Sequence, residues 1–159
     1  MAPGDEKTGG ESISGNLAVC AFIERSHLFK GLEKEDLKVL YEAGRLLKVK
    51  AGQAIVSEGD AGDDMFVIMT GTVKVVAGLP KAPVELAQLK RGAFFGEVSV
   101  LTGRPRTATV LAIDDVELVA FGKQALEPIL RKYPRVRKLM QVVVEGRVRT
   151  AIEKSKGPS

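Results

Sequence analysis

Apolar residues recur at helical spacing near both ends of the chain and at every second position between them. Residues 17–28 have moderately helical spacing, and residues 32–44 predict a short helix with acidic residues in its first turn and a glycine stop at Gly44. Residues 123–131 predict another short helix. Pro134 then begins a longer one, because proline fits the first turn of a helix.

Between Arg45 and Phe121 the apolar period changes to two, which is typical of strands with one buried face. The predicted strands are 47–49, 54–56, 65–68, 72–76, 84–89, 107–113 and 116–121, and glycine-containing turns separate most of them. Many short strands with regular turns indicate a sandwich or barrel. We predict an α+β fold: an antiparallel β-roll or jelly roll of about eight strands, flanked by N-terminal helices and two C-terminal helices.

The length of the chain, 159 residues, suits a single domain with one hydrophobic core. Residues 1–15 are rich in glycine, serine and charge, so we expect a disordered leader there, one domain over 16–155 and a tail at 156–159. No apolar run approaches the roughly 18–20 residues that cross a bilayer, and the N-terminus lacks the order of a signal peptide. We expect a cytoplasmic location, which includes the cytoplasmic domain of a membrane protein.

Positive charge is concentrated in the last helix. The net charge of the chain is +4, but the residues from Arg131 onward include nine Lys or Arg and only two acidic residues. This segment has no interleaved aromatics, and the sequence ends at Ser159 without a helix-turn-helix. We therefore expect a solvated helix face, and no nucleic-acid binding by this chain.

The segment 92–110 carries the candidate chemistry. Gly96 permits a sharp turn after two phenylalanines, and residues 97–101 are long enough for a short helix whose first backbone N–H groups favour an anion. Arg106 follows across a short loop and would complete a phosphate cradle. A carboxylate, Glu97, fits such an anion site only if the ligand also carries a hydroxyl that donates a hydrogen bond to it. A sugar phosphate carries both the anion and the hydroxyl.

This segment resembles the phosphate-binding cassette of the cyclic nucleotide-binding domain family, in which Phe-Gly-Glu is followed by a short helix, a loop and Pro-Arg. The resemblance extends to Glu58-Gly-Asp60, to the strands at 65–68 and 71–75 and to the entry motif at 27–32, and it covers roughly residues 25–150. It implies that Glu97 accepts the ribose 2′-hydroxyl and that Arg106 pairs with the cyclic phosphate of cAMP or cGMP. Thr107 would add an amide and a hydroxyl that can favour cGMP, although the base stays undecided. The full set of predicted ligand-binding residues is Phe95, Gly96, Glu97, Val98, Ser99, Arg106, Thr107, Ala108 and Arg147.

The last helix is expected to take part in the response to the ligand. Its apolar stripe consists of Val136, Leu139, Met140, Val143, Val144, Val148 and Ile152. The resemblance implies a lid that closes over the base, with Arg147 as the candidate that stacks on the base or hydrogen-bonds to it; an exposed arginine is the alternative. The stripe could equally form the seam of a homo-oligomer. The output would go to a fused or docked effector, such as an ion channel.

Functions that need a metal, a cluster or a haem would require ligands that the sequence lacks. The chain has one histidine, His27, and one cysteine, Cys20, both before the predicted roll, so a cupin-type metal enzyme, an iron–sulfur cluster or a haem sensor lacks its ligands. We therefore expect no enzyme activity, no metal and no cofactor. Two alternatives stay open: a degenerate roll that serves only dimerisation or interaction, and the ligand half of a transcription regulator without its DNA-binding domain.

Overall fold

The computed structural model describes residues 10–78 and 81–155, with side chains described as far as residue 147. Its helices are α1 (Leu17–Arg25), α2 (Lys34–Ala43), α3 (Glu97–Thr102), α4 (Lys123–Lys132) and α5 (Pro134–Ser155). Its strands are β1 (Glu11–Ser12), β2 (Arg45–Val49), β3 (Ala54–Val56), β4 (Asp64–Thr70), β5 (Val73–Ala77), β6 (Val84–Leu89), β7 (Phe94–Phe95), β8 (Thr109–Ala112) and β9 (Val116–Gly122). None of the helices in these ranges is long and apolar enough to span a bilayer.

Two antiparallel sheets face each other to form the roll. One sheet has the strand order β1-β2-β9-β4-β7 and the other the order β3-β8-β5-β6. Along β4, Phe66 and Ile68 belong to the core between the sheets, whereas Met65 and Val67 belong to a second core under the helices. Because successive side chains of a strand point to opposite faces, β4 contributes to both cores, and its apolar residues form a continuous run rather than the expected period of two. The predicted fold class is confirmed.

The helices cover the outer face of the five-stranded sheet. Asn16 caps α1 by accepting a hydrogen bond from the backbone N–H of Val19 at 3.1 Å. Gly44 ends α2, as predicted, with its N–H donating to the Leu40 carbonyl at 2.8 Å. Pro134 is the first residue of α5, also as predicted. α1 stops at Arg25, three residues before the predicted end.

The leader was predicted to extend to residue 15, and the structure corrects this boundary. Glu11 and Ser12 form β1, which pairs with the edge of β2, and Ile13 is fully buried. The N–H of Ile13 donates to the Gly44 carbonyl at 3.1 Å, and a side chain at Gly44 would collide with Ile13. One apolar side chain and a few backbone bonds therefore order a segment whose composition looks disordered. The rest of the predicted leader, 1–9, and the predicted tail, 156–159, lie outside the described residues.

Most strand boundaries differ from the prediction by one or two residues, and two differences bear on the site. The strand predicted at Thr107 begins instead at Thr109, because residues 106–108 line a cavity before the chain enters the sheet. The two phenylalanines at 94–95 form β7, which pairs with β4 and delivers the chain directly into α3. The short α3 was predicted at 97–101 and is found at Glu97–Thr102.

Candidate functional site

A sharp turn at Gly96 sets the geometry of the cassette between β7 and α3. Gly96 has a φ of 90°, in the left-handed region that L-residues rarely adopt. A Cβ atom at this position would lie 2.6 Å from the Asp64 carbonyl oxygen and 3.1 Å from Nη1 of Arg106. Glycine is therefore required at residue 96 both for the backbone conformation and for the close approach of the neighbouring strand and arginine.

Arg106 lies buried at the end of the cassette, with 4% of its surface exposed. Its Nη1 donates to the Gly96 carbonyl at 3.1 Å, and its guanidinium carbon lies 5.8 Å from the centre of the Phe66 ring. The backbone of Arg106 is fixed as well, since its N–H donates to the Asp60 carbonyl and its carbonyl accepts from the N–H of Gly59. The turn before β4 thus anchors the arginine that the sequence predicted for the anion.

Glu97, the first residue of α3, is a buried carboxylate with 2% of its surface exposed. Its Oε1 accepts a hydrogen bond from Nη1 of Arg147 at 2.9 Å. Its Oε2 is buried and has no hydrogen-bond partner among the described residues. Burial raises the pKa of Glu97, while Arg147, the backbone N–H of Glu97 and Arg106 act in the opposite direction. A buried acceptor without a partner is costly, so Oε2 is suited to a ligand that donates a hydrogen bond.

Arg147 reaches the cassette from α5. Besides Glu97, its guanidinium donates through Nη2 to the Phe94 carbonyl and lies 5.4 Å from the centre of the Phe94 ring. Burial lowers the pKa of Arg147, and Glu97 opposes that shift. From the sequence, Arg147 was expected to reach the base of a ligand. In the structure its contacts are with the carboxylate and the strand that begin the cassette.

The cassette forms one wall of a cavity of about 460 Å³ between the four-stranded sheet and α5. All nine residues predicted as ligand-binding line this cavity: Phe95, Gly96, Glu97, Val98, Ser99, Arg106, Thr107, Ala108 and Arg147. The remaining lining is aliphatic and was not predicted: Val56, Val75, Ala77, Val84, Leu86, Ala87, Val110 and Val144. A cavity with charged groups on one wall and aliphatic side chains on the others suits a ligand with a polar part and an apolar part.

The apolar stripe of α5 divides between the core and the cavity. Val136 and Met140 are fully buried in the core under the helices, whereas Val144 lines the cavity together with Arg147. Val148 and Ile152, the other predicted stripe residues beyond Val144, fall where no side chain is described. The described part of α5 therefore packs on its own domain and covers the cavity.

The two residues that the sequence analysis set aside lie away from the cavity. His27 is exposed, and the thiol of Cys20 donates to the Ile13 carbonyl at 3.3 Å. Among the described residues, no group of three or more His, Cys, Asp or Glu side chains is placed to hold a metal ion. Neither residue shares a wall with the charged groups of the cassette.

Sequence comparison links the chain to regulatory proteins. The family model for the cyclic nucleotide-binding domain matches residues 46–133, more than half of the chain. The chain is 36% identical over 137 residues to cyclic nucleotide-gated channel beta-3 of Canis lupus familiaris, a match that covers 81% of this chain and 16% of the channel. It is 44% identical over 94 residues to the cAMP-dependent protein kinase type II regulatory subunit of Drosophila melanogaster, covering 59% of this chain and 25% of that subunit.

Structural comparison agrees with these matches. The fold superposes on the regulatory domain of Toxoplasma gondii PKA, solved with cAMP, with a TM-score of 0.72 at 20% identity, over 82% of this chain and 49% of that one. This chain spans only a minor part of the length of these two curated relatives, a channel and a kinase regulatory subunit. By the family model, the identity to these relatives and the shared fold, the chain belongs to the cyclic nucleotide-binding domain family.

Proposed function

We propose that this chain binds a cyclic nucleotide, cAMP or cGMP, in the cavity of the roll and signals to an effector through α5. The observation that carries the proposal is the pairing of two buried groups on one wall: the cation of Arg106 and the carboxylate of Glu97, whose Oε2 has no partner among the described residues. The cation suits the phosphate and the carboxylate suits a ribose hydroxyl. A cyclic nucleotide presents both groups on one small ring system.

The phosphate is assigned to the end of the cavity where Arg106 and the start of α3 meet. Backbone N–H groups in the first turn of a helix have no partner within the helix, so those of Glu97, Val98 and Ser99 can serve the phosphate oxygens. An arginine that is already buried and held in place binds an anion without a large cost in side-chain entropy. Phosphate and guanidinium then form charge-assisted hydrogen bonds, which are roughly twice as strong as hydrogen bonds between neutral groups.

The base is assigned to the aliphatic part of the cavity. Val75, Leu86 and Val144 offer apolar contact area there but no base-reading hydrogen bonds from their side chains. Thr107, which lines the cavity and is exposed, is the candidate that selects the guanine edge. Discrimination between adenine and guanine would therefore rest on one hydroxyl, and we expect a preference for cGMP of at most about 1.5 kcal/mol, the upper end of the typical net value of a hydrogen bond.

Signalling would run through α5, because Val144 and Arg147 on this helix line the cavity that the ligand enters. A ligand shifts a helix between two positions only by binding one of them more tightly. The effector would be a fused or docked protein, such as a channel. This chain would then lie on the cytoplasmic side of the membrane. The two relatives named above are a channel and a kinase regulatory subunit, which supports a role without catalysis.

Isothermal titration of the chain with cAMP and with cGMP tests this proposal. 5′-AMP serves as the control ligand, since it has the same base and ribose with an open phosphate. We expect saturable 1:1 binding of at least one cyclic nucleotide and much weaker binding of 5′-AMP. A folded sample, free of co-purified nucleotide, that gives no heat with either cyclic nucleotide would contradict the proposal and favour the degenerate interaction module.

A further inference from the structure

The turn that follows β3 is bonded through its backbone to the end of the cassette. The N–H of Glu58 donates to Oγ1 of Thr109 at 3.0 Å, where β8 begins. The N–H of Gly59 donates to the Arg106 carbonyl at 2.8 Å, and the N–H of Arg106 donates to the Asp60 carbonyl at 2.9 Å. The backbone of this turn therefore fixes the arginine that we assign to the phosphate.

The side chain of Glu58 makes a different contact, with the hairpin of β5 and β6. Its Oε1 accepts a hydrogen bond at 3.0 Å from the N–H of Gly78, which lies directly after β5. Of the described residues, Gly78 alone is hydrogen-bonded to this carboxylate. The carbonyl of Gly78 accepts from the N–H of Ala82 at 3.1 Å, so the bonded residue is also the one that begins the turn of the hairpin.

The same hairpin supplies much of the aliphatic wall of the cavity. Its lining residues are Val75, Ala77, Val84, Leu86 and Ala87. Ala77 and Val84 are paired across the two strands, immediately beside Gly78. The carboxylate of Glu58 thus holds the end of the hairpin that carries Ala77 and Val84, while the backbone of Glu58 belongs to the turn that fixes Arg106.

We propose that Glu58 is a positioning residue for the base: its carboxylate ties the β5–β6 hairpin to the turn that fixes Arg106, and so sets the apolar wall at the right separation from the phosphate end. This inference rests on the proposed function. The fused ring of sugar and phosphate in a cyclic nucleotide is rigid, so the two ends of the cavity must match it. A wall that is already in its bound position spares the ligand the entropic cost of ordering it.

Glu58 would act without touching the nucleotide. Its side chain is exposed and does not line the cavity. Its role needs an oxygen that accepts from the Gly78 N–H, which the amide of glutamine also offers. We therefore expect Glu58→Gln to behave like the wild type and Glu58→Ala to release the hairpin.

The test combines affinity with a direct probe of the hairpin. Titration calorimetry with the tighter-binding cyclic nucleotide gives dissociation constants for the wild type, Glu58→Ala, Glu58→Gln, Val84→Ala, the double variant of Glu58→Ala and Val84→Ala, and the control Glu85→Ala. Glu85 is exposed on the same hairpin and does not line the cavity. Hydrogen exchange of the Gly78 amide is followed by NMR without ligand, and thermal unfolding shows that each variant is folded.

Glu58→Ala should weaken binding by about 2- to 12-fold, the factor that corresponds to the net value of one hydrogen bond, and should speed exchange of the Gly78 amide. Glu58→Gln and Glu85→Ala should match the wild type in both measurements. Removal of the Glu58 side chain should cost less affinity when Val84 is already truncated, because the displaced wall then has less contact to lose.

Unchanged affinity or unchanged amide exchange in Glu58→Ala would overturn the inference. An equal loss in Glu58→Gln would also overturn it, because the charge rather than the hydrogen bond would then be responsible. Fully additive losses in the double variant would place the effect away from the hairpin wall and would contradict the role. Failure of the proposed function has a separate signature, which is the absence of binding by the wild type to either cyclic nucleotide.

Discussion

The buried guanidinium of Arg106 allows a quantitative prediction for Arg106→Ala. This residue is 4% exposed, and it lines the cavity in which the proposed phosphate would meet it. Deleting one partner of a buried, hydrogen-bonded charge pair costs about 2–5 kcal/mol, since the other charge is left without compensation. At about 1.4 kcal/mol for each tenfold change, the dissociation constant should rise by about 30-fold to about 4,000-fold.

The substitution should leave the chain folded. In the ligand-free protein it removes the hydrogen bond to the Gly96 carbonyl and the contact with Phe66, but it also removes a buried cation. Folded domains are stable by about 5–15 kcal/mol, so a loss of one charged hydrogen bond, about 1.5–3 kcal/mol, is tolerated. Thermal unfolding followed by circular dichroism checks this point before affinity is measured.

The assay is a titration of wild type, Arg106→Ala and Arg104→Ala with the tighter-binding cyclic nucleotide. Arg104 is the matched control, because it lies in the same loop and its side chain is exposed. We expect a severe loss only for Arg106→Ala, and a smaller loss for Glu97→Ala, which removes a bond to a neutral hydroxyl. Unchanged affinity in folded Arg106→Ala would refute the phosphate assignment. A greater loss in Glu97→Ala would reverse the ranking of the two residues.

Three further substitutions test other parts of the account. Burial raises the pKa of Glu97, so its contribution to the stability of the ligand-free fold is full below the ordinary glutamate pKa of about 4.3 and is lost as the pH rises through the higher folded value. Denaturant unfolding of Glu97→Gln and of the wild type should show that the free energy of unfolding of the variant gains on that of the wild type as the pH rises between these two pKa values. A difference in free energy of unfolding that does not change with pH would contradict this prediction. Gly146→Ala should stabilise α5 by about 0.5–1 kcal/mol in the same assay, because a Cβ there meets open space, and a destabilised variant would be the contrary result. Tyr133→Phe should lower the melting temperature, because the Tyr133 hydroxyl donates to Asp36 at 2.5 Å and accepts from the Glu33 N–H at 3.0 Å. Lys132 and Tyr133 hold the pKa of Asp36 below its usual range, so this penalty should shrink as the pH falls through the lowered value, whereas a penalty independent of pH would exclude Asp36 as its source.

The central strands of the roll could be predicted because they are almost continuously apolar. In β4 and β9, neighbouring positions serve two different cores, so both faces of each strand carry apolar side chains. β1 was missed for the opposite reason. It is held by backbone pairing and by Ile13 alone, and a segment rich in glycine and serine gives no periodic signal for such an arrangement.

The charged half of the site was predictable and the aliphatic half was not. Glu97 and Arg106 lie nine positions apart in one continuous segment whose turn and helix place them on the same wall. Val75 and Leu86 come from separate strands and look like ordinary core residues in the sequence. The partner of Arg147 could not be predicted from the sequence either, because Glu97 lies 50 residues away and only the packing of α5 brings the two side chains together.

The measurement that tests the central claim most directly is a crystal structure of the chain with its tighter-binding cyclic nucleotide. We predict that the cyclic phosphate lies within hydrogen-bonding distance of Arg106 and that the 2′-hydroxyl donates to Oε2 of Glu97. Arg147 should remain on Oε1. A nucleotide bound elsewhere, or bound in the cavity with its phosphate away from Arg106, would contradict the account.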